Sequence, residues 1–144
     1  VDEPLTVYFA DDSSVARKQI ERTLDALGVR YVGSVNGRQA WTELEKVASY
    51  ASSSGRKVKD LVALILTDVE MPEMDGYILT KRIKTDPRFE GVPVIMHSSL
   101  SGMSNQQLGR SVGVDEYVAK FEPQRLAEVL RRLITQHAGP DKAA

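Results

Sequence analysis

Asp68 stands where an apolar run stops. The stretch around it reads LILTDVEMPEMDGY, so a buried strand emerges at a carboxylate and a Met-Pro turn follows. Asp11 and Asp12 end an earlier apolar run, residues 5–10. Three acids at the ends of two buried strands are costly unless they share a cation. A hard divalent ion such as Mg2+ binds through one or two carboxylates plus waters and phosphate oxygens, which suits Asp11, Asp12 and Asp68. None of the three adjoins a His or Cys that would favour zinc. A later apolar run, Val94-Ile95-Met96-His97, leads into Ser98, and the last one ends in Lys120. Alone, Asp11-Asp12 reads as a helix cap, Ser98 as a turn residue and Lys120 as a solvated end. Together they supply a nucleophile, a cation site, a hydroxyl and an ammonium, the groups that phosphoryl transfer to a carboxylate requires.

Such residues act together only if a sheet brings the strand ends to one edge. Five apolar runs, at 5–10, 31–35, 61–67, 92–97 and 114–119, alternate with segments of helical spacing. The runs look apolar on both faces, as parallel strands covered on both sides do. Ser13 or Ser14 caps a first helix carrying Val15, Ile20, Leu24 and Leu27, and Gly28 stops it. Asn36 caps a second, with Trp41, Leu44 and Val47 on one stripe. A third spans roughly 76–84, and a weak fourth, interrupted by Gly109, lies near 103–112. The last, 123–137, carries Leu126, Val129, Leu130, Leu133 and Ile134 on one face. Right-handed crossovers then predict an α/β fold, a doubly wound (βα)5 sandwich around a five-stranded parallel sheet. Residues 49–60, rich in Ser and basic, read as a loop, and residues 138–144 as a flexible tail.

The 144 residues suit one domain, here 1–137, with one core. A net charge of -1 gives no sign of a nucleic-acid surface or a polybasic membrane anchor. The absence of cysteine excludes disulfides and thiolate metal sites. No apolar run approaches membrane-spanning length and no signal peptide is visible, so the cytoplasm is the expected location.

The motifs FADDSS, TDVEMPEMDGY, PVIMHSS and EYVAK, at their spacing, resemble the CheY-like receiver domain of bacterial two-component response regulators over nearly the whole chain. That resemblance implies the flavodoxin-like strand order 2-1-3-4-5. It also implies roles. Asp68 is the phosphoacceptor, and Asp11, Asp12, Asp68 and the backbone carbonyl of Glu70 hold Mg2+. Ser98 and Lys120 contact the phosphoryl group, and Tyr117 is the aromatic switch. Glu70 and Leu100 tune hydrolysis, and with Leu100 apolar, slow self-dephosphorylation is expected. The fourth helix, fifth strand and last helix form the signalling face. A histidine kinase is the implied phosphodonor, and no catalytic turnover of a separate substrate is expected.

The runs MPEMDGY, HSSLSG and Lys120–Pro123 look closer still to the receiver of CheV-type chemotaxis coupling proteins. There a CheW-like scaffold domain precedes the receiver, and a CheA-type kinase and chemoreceptors are partners. A start at Val1 fits a domain cut from such a fusion. The chain departs from most receivers at Phe121, where the residue after Lys120 is usually a cis proline. Two other readings use the same residues. One is an aspartate-nucleophile phosphatase with Glu70 as general acid; the other is a phosphate-independent or flavin-binding module. His97 adjoins Ser98 and either tunes the site or merely fills a strand end.

Overall fold

The computed structural model describes residues 5–98, 107–108, 110–120 and 122–143, with side chains up to residue 136. The elements follow as β1 (Thr6–Ala10), α1 (Ser14–Leu27), β2 (Arg30–Ser34), α2 (Gly37–Ser53), β3 (Val62–Thr67), α3 (Gly76–Thr85), β4 (Val94–Ser98), β5 (Glu116–Ala119) and α4 (Pro123–Ala143). All pairings are parallel, and the order is β2-β1-β3-β4-β5, as the resemblance implies. The central strands β3 and β4 are buried at every position, which explains their unbroken apolar runs.

Side chains alternate between the faces of a strand, and two core layers result. Val7, Phe9, Leu64, Leu66, Ile95 and Val118 pack under α1 and α4, against Ile20, Leu24, Leu126, Val129 and Leu130. Ala10, Val62, Ile65 and Val94 pack under α2 and α3, against Leu44, Ala48, Leu79 and Ile83. Helix starts follow side-chain caps. Ser13, Asn36 and Asp75 accept from the backbone N–H groups of Ala16, Gln39 and Ile78. Gly28, at φ 70°, closes α1 in the left-handed region.

Several expectations need correction. Val15 is exposed, and Ala16 takes its place in the core, because Ala16, Ile20 and Leu24 follow at four-residue spacing on one helix face and Val15 lies off it. The 49–60 segment is not simply a loop. Helix α2 continues through Ser53, since Leu44, Ala48 and Ala51 form one buried stripe, and Val58–Asp60 makes a 3-10 turn with Val58 buried. Small residues hide this stripe from a hydrophobicity reading. The backbone of α4 runs on through Ala143, past the expected end at 137, although Pro140 has no N–H to donate to it. The fourth helix expected near 103–112 lies largely outside the described residues, where only 107, 108, 110 and 111 are described as helical. Leu100 and Phe121 also lie outside them.

Candidate functional site

The site grows out of strand alternation. Asp11 lies two residues beyond Phe9, Asp68 two beyond Leu66, and Lys120 two beyond Val118. Each extends the core layer under α1 and α4 past the carboxyl edge of the sheet. The three side chains therefore meet on one face. The Lys120 ammonium lies 2.9 Å from Asp11 Oδ2 and 3.3 Å from Asp68 Oδ2. Asp11 is fully buried and Asp68 nearly so, while Asp12 is exposed at the mouth. One carboxylate oxygen from each of Asp11, Asp12 and Asp68 lies within 4.8 Å of the other two.

Other contacts hold the acids in place. Asp11 Oδ1 accepts from Ser13 N at 2.9 Å, and the Arg17 guanidinium donates to the Asp11 carbonyl at 2.7 Å. Asp68 Oδ1 accepts from Val69 N at 2.8 Å. Among the described residues Asp11 Oδ2 makes no aligned hydrogen bond, and its close contact is the ion pair with Lys120. A buried carboxylate oxygen without a directed partner, in an all-oxygen set of three acids, fits a hard divalent cation such as Mg2+.

The electrostatics agree with that fit. Burial first and the Asp11 charge second push the Asp68 carboxyl up to about 7, against the pull of Lys120 and the Val69 N–H. Burial disfavours the Lys120 ammonium, yet its bonds and charge contacts with Asp11 and Asp68 outweigh this and raise it. One ammonium does not neutralise two buried carboxylates.

The turn after Asp68 is packed backbone on backbone. A Cβ at Gly76 would stand 2.0 Å from the Asp68 carbonyl oxygen, and one at Gly37 would stand 2.2 Å from the Met74 carbonyl oxygen. Glycine at both positions lets β3–α3 and β2–α2 close on each other. Between them Glu73 takes a left-handed backbone (φ 68°), and Asn36 Nδ2 donates to its carboxylate at 3.2 Å.

The remaining expected residues are placed as follows. Ser98 is buried at the end of β4, and its carbonyl accepts from Lys120 N at 2.7 Å. It sits two beyond Met96, on the face opposite Asp68 and Lys120. Tyr117 pairs with Met96 in register, is half-buried, and shares the Ser98 face. The Tyr77 phenol is pushed up by burial and by the neighbouring Tyr117. The side chain of Glu70 is exposed. Sequence reasoning missed Arg17, whose helical position six residues past Asp11 is its one signal. It also left open where His97 points. His97 follows Ile95 by two, so it shares the face of Asp11, Asp68 and Lys120.

A flavodoxin-like sheet with an acid–lysine cluster at its carboxyl edge defines the class. The response regulator receiver domain family matches residues 7–131, and the chain belongs to that family. Such domains are signalling phosphoacceptors, and chemotaxis proteins are among the relatives. The chain is 32% identical to chemotaxis protein CheV1 of Helicobacter pylori over 128 residues, which cover 89% of the chain but 37% of that relative. It is 34% identical to chemotaxis protein CheY1 of the same organism, covering 88% of the chain and 94% of the relative. A putative response regulator from Chloroflexus aurantiacus superposes with a TM-score of 0.76 at 26% identity, over 92% of this chain and 98% of the other. The chain thus spans about two fifths of the length of the CheV relatives it matches. Among the described residues no helix is long and apolar enough to cross a membrane.

Proposed function

We propose that Asp68 accepts a phosphoryl group from a histidine kinase. The observation that carries this reading is the shared ammonium, with Lys120 Nζ 2.9 Å from Asp11 and 3.3 Å from Asp68. A carboxylate oxygen of Asp68 attacks phosphorus on the phosphohistidine. A P–O bond forms, the P–N bond breaks, and the imidazole leaves with its electron pair and takes a proton. Asp11, Asp12, Asp68 and the Glu70 carbonyl would hold Mg2+, which offsets the negative charge where carboxylates and phosphoryl oxygens converge. Lys120 binds a phosphoryl oxygen. The Ser98 hydroxyl turns toward another, and Tyr117 on the same face follows it inward. Charge added at one edge thereby biases the face of β5 and α4.

The chemotaxis relatives support a chemotactic setting, with a CheA-type kinase as donor and the cytoplasm as location. Similarity to CheV1 supports placement beside a CheW-like scaffold domain, with chemoreceptors as further partners. There the receiver would modulate receptor–kinase coupling or act as a phosphate sink. Residues 1–137 would form the receiver unit, with the backbone of α4 continuing beyond it.

Intact mass after incubation with Mg2+ and a small phosphodonor tests the reading, beside an Asp68→Asn control. One phosphoryl adduct, lost in the variant and in chelator, is expected. No adduct on the wild-type chain would refute it and leave a phosphate-independent binding role.

A further inference from the structure

His97 is buried at 4% exposure, and among the described residues its Nδ1 has no hydrogen-bond partner. An orphaned buried nitrogen weakens a fold, and an aliphatic side chain would fill the same place without that penalty. The mechanism above does not use the ring. Its surroundings suggest what does. His97 pairs in register with Val118, two residues before Lys120. Thr67 pairs with Met96, so one further step sets Asp68 beside His97. Asp11, Asp68, His97 and Lys120 all share the α1–α4 face.

Lys120 faces a conflict at this site. Its ammonium occupies the Asp11 oxygen that has no aligned bond, and that oxygen is a candidate ligand for a cation. A divalent ion held by Asp11 would compete with the ammonium for that oxygen and favour a further acceptor for Lys120. Carboxylates engaged by a cation are poor acceptors, and the pocket excludes water from the ammonium, whose side chain is 11% exposed.

We propose that His97 is a positioning residue for Lys120, its imidazole accepting a hydrogen bond from the ammonium once Asp11 releases it. The inference rests on the reading that Asp11, Asp12 and Asp68 hold Mg2+. A neutral imidazole has one lone-pair nitrogen, so the ring can accept from the ammonium.

The test combines His97→Val, His97→Asn and Lys120→Met, with Mg2+ binding read by calorimetry and stability by urea unfolding. His97→Val is expected to raise stability in chelator, because it removes an unsatisfied buried nitrogen. The same change is expected to weaken Mg2+ binding about three- to tenfold, the range of one net hydrogen bond. His97→Asn, which keeps an acceptor, should recover part of the loss. In the Lys120→Met background His97→Val should have no effect on Mg2+ binding, since the two residues act as one unit. A merely structural histidine would move stability and Mg2+ affinity together, or leave affinity alone. Unchanged affinity in His97→Val, or an equal loss with Lys120→Met present, overturns the proposal. A wild-type chain that binds no Mg2+ overturns the cation reading itself and this inference with it.

Discussion

Lys120 Nζ lies nearer to Asp11 Oδ2 (2.9 Å) than to Asp68 Oδ2 (3.3 Å). The ammonium thus lies closest to the acid that is not the proposed nucleophile, and the same Asp11 oxygen is the one with no aligned hydrogen bond among the described residues. Breaking a buried ion cluster by removing one partner typically costs about 3–5 kcal/mol. Lys120→Met should lose about that much in urea unfolding without divalent cation, and it should raise the Asp68 carboxyl further, because Lys120 is one of the groups that lower it. Added Mg2+ should restore more stability to the variant than to the wild type. Equal Mg2+ effects on both would show that the ammonium and the cation do not compete.

Asp68 predicts a pH signature. Its folded carboxyl is raised from 3.8 to about 7. The folded state therefore binds this proton more tightly than the unfolded chain, and stability falls as pH rises through the window from about 4 to 7. Above that window the charged carboxylate disfavours folding. Asp68→Asn should be more stable than wild type at pH 8 in chelator, with the difference vanishing below pH 4. Parallel stability curves for the two proteins would contradict the raised carboxyl.

Gly76→Ala should damage fold and site together. The new Cβ would press on the Asp68 carbonyl oxygen at 2.0 Å and on Val69 Cα at 3.1 Å, both backbone atoms that cannot rotate away. Overpacking of this kind costs about 1–3 kcal/mol. Thermal unfolding should show the loss, and Mg2+ affinity should fall with it. A stable variant with wild-type Mg2+ affinity would mean that the turn yields freely.

Glu73 holds a left-handed backbone at φ 68°, which disfavours a non-glycine residue by about 1 kcal/mol. Its hydrogen bond from Asn36 is exposed and contributes little. Glu73→Gly should gain about 0.5 kcal/mol, measured by urea unfolding. Asn36→Ala should lose about 1 kcal/mol through the α2 cap, where Asn36 Oδ1 accepts from Gln39 N at 2.7 Å. A loss in the first variant would mean that the carboxylate contact outweighs the strain.

Phospho-Asp68 is expected to hydrolyse slowly. Glu70, two residues past Asp68, carries a negative side chain that repels or misorients an attacking hydroxide or water. Glu70→Asn should shorten the lifetime of the adduct, followed by mass in the absence of phosphatase. A wild-type adduct lost within seconds would remove this role from Glu70.

The five strands and the acids at their ends were legible in the sequence because each apolar run stops at a polar residue. The α2 stripe of Leu44, Ala48 and Ala51 was not, since alanine carries little hydrophobic signal. Nor was the exposure of Val15, since the buried face starts from the small residue Ala16 and runs through Ile20 and Leu24. For Lys120 the strand end was visible, but its preference for Asp11 over Asp68 was not.

The succession of apolar runs and helical segments by itself determined a doubly wound sheet with carboxylates, a hydroxyl and an ammonium at its strand ends. Such runs and spacings are local properties, written within each stretch of chain. Tertiary structure decided the rest. The registers that pair Thr67 with Met96 and Met96 with Tyr117 set His97 on the face of Asp68 and Lys120, and Ser98 with Tyr117 on the other. The raised Asp68 carboxyl follows from burial first and from the neighbouring Asp11 charge second. Register and desolvation are relations between distant segments, and no single stretch of chain encodes either.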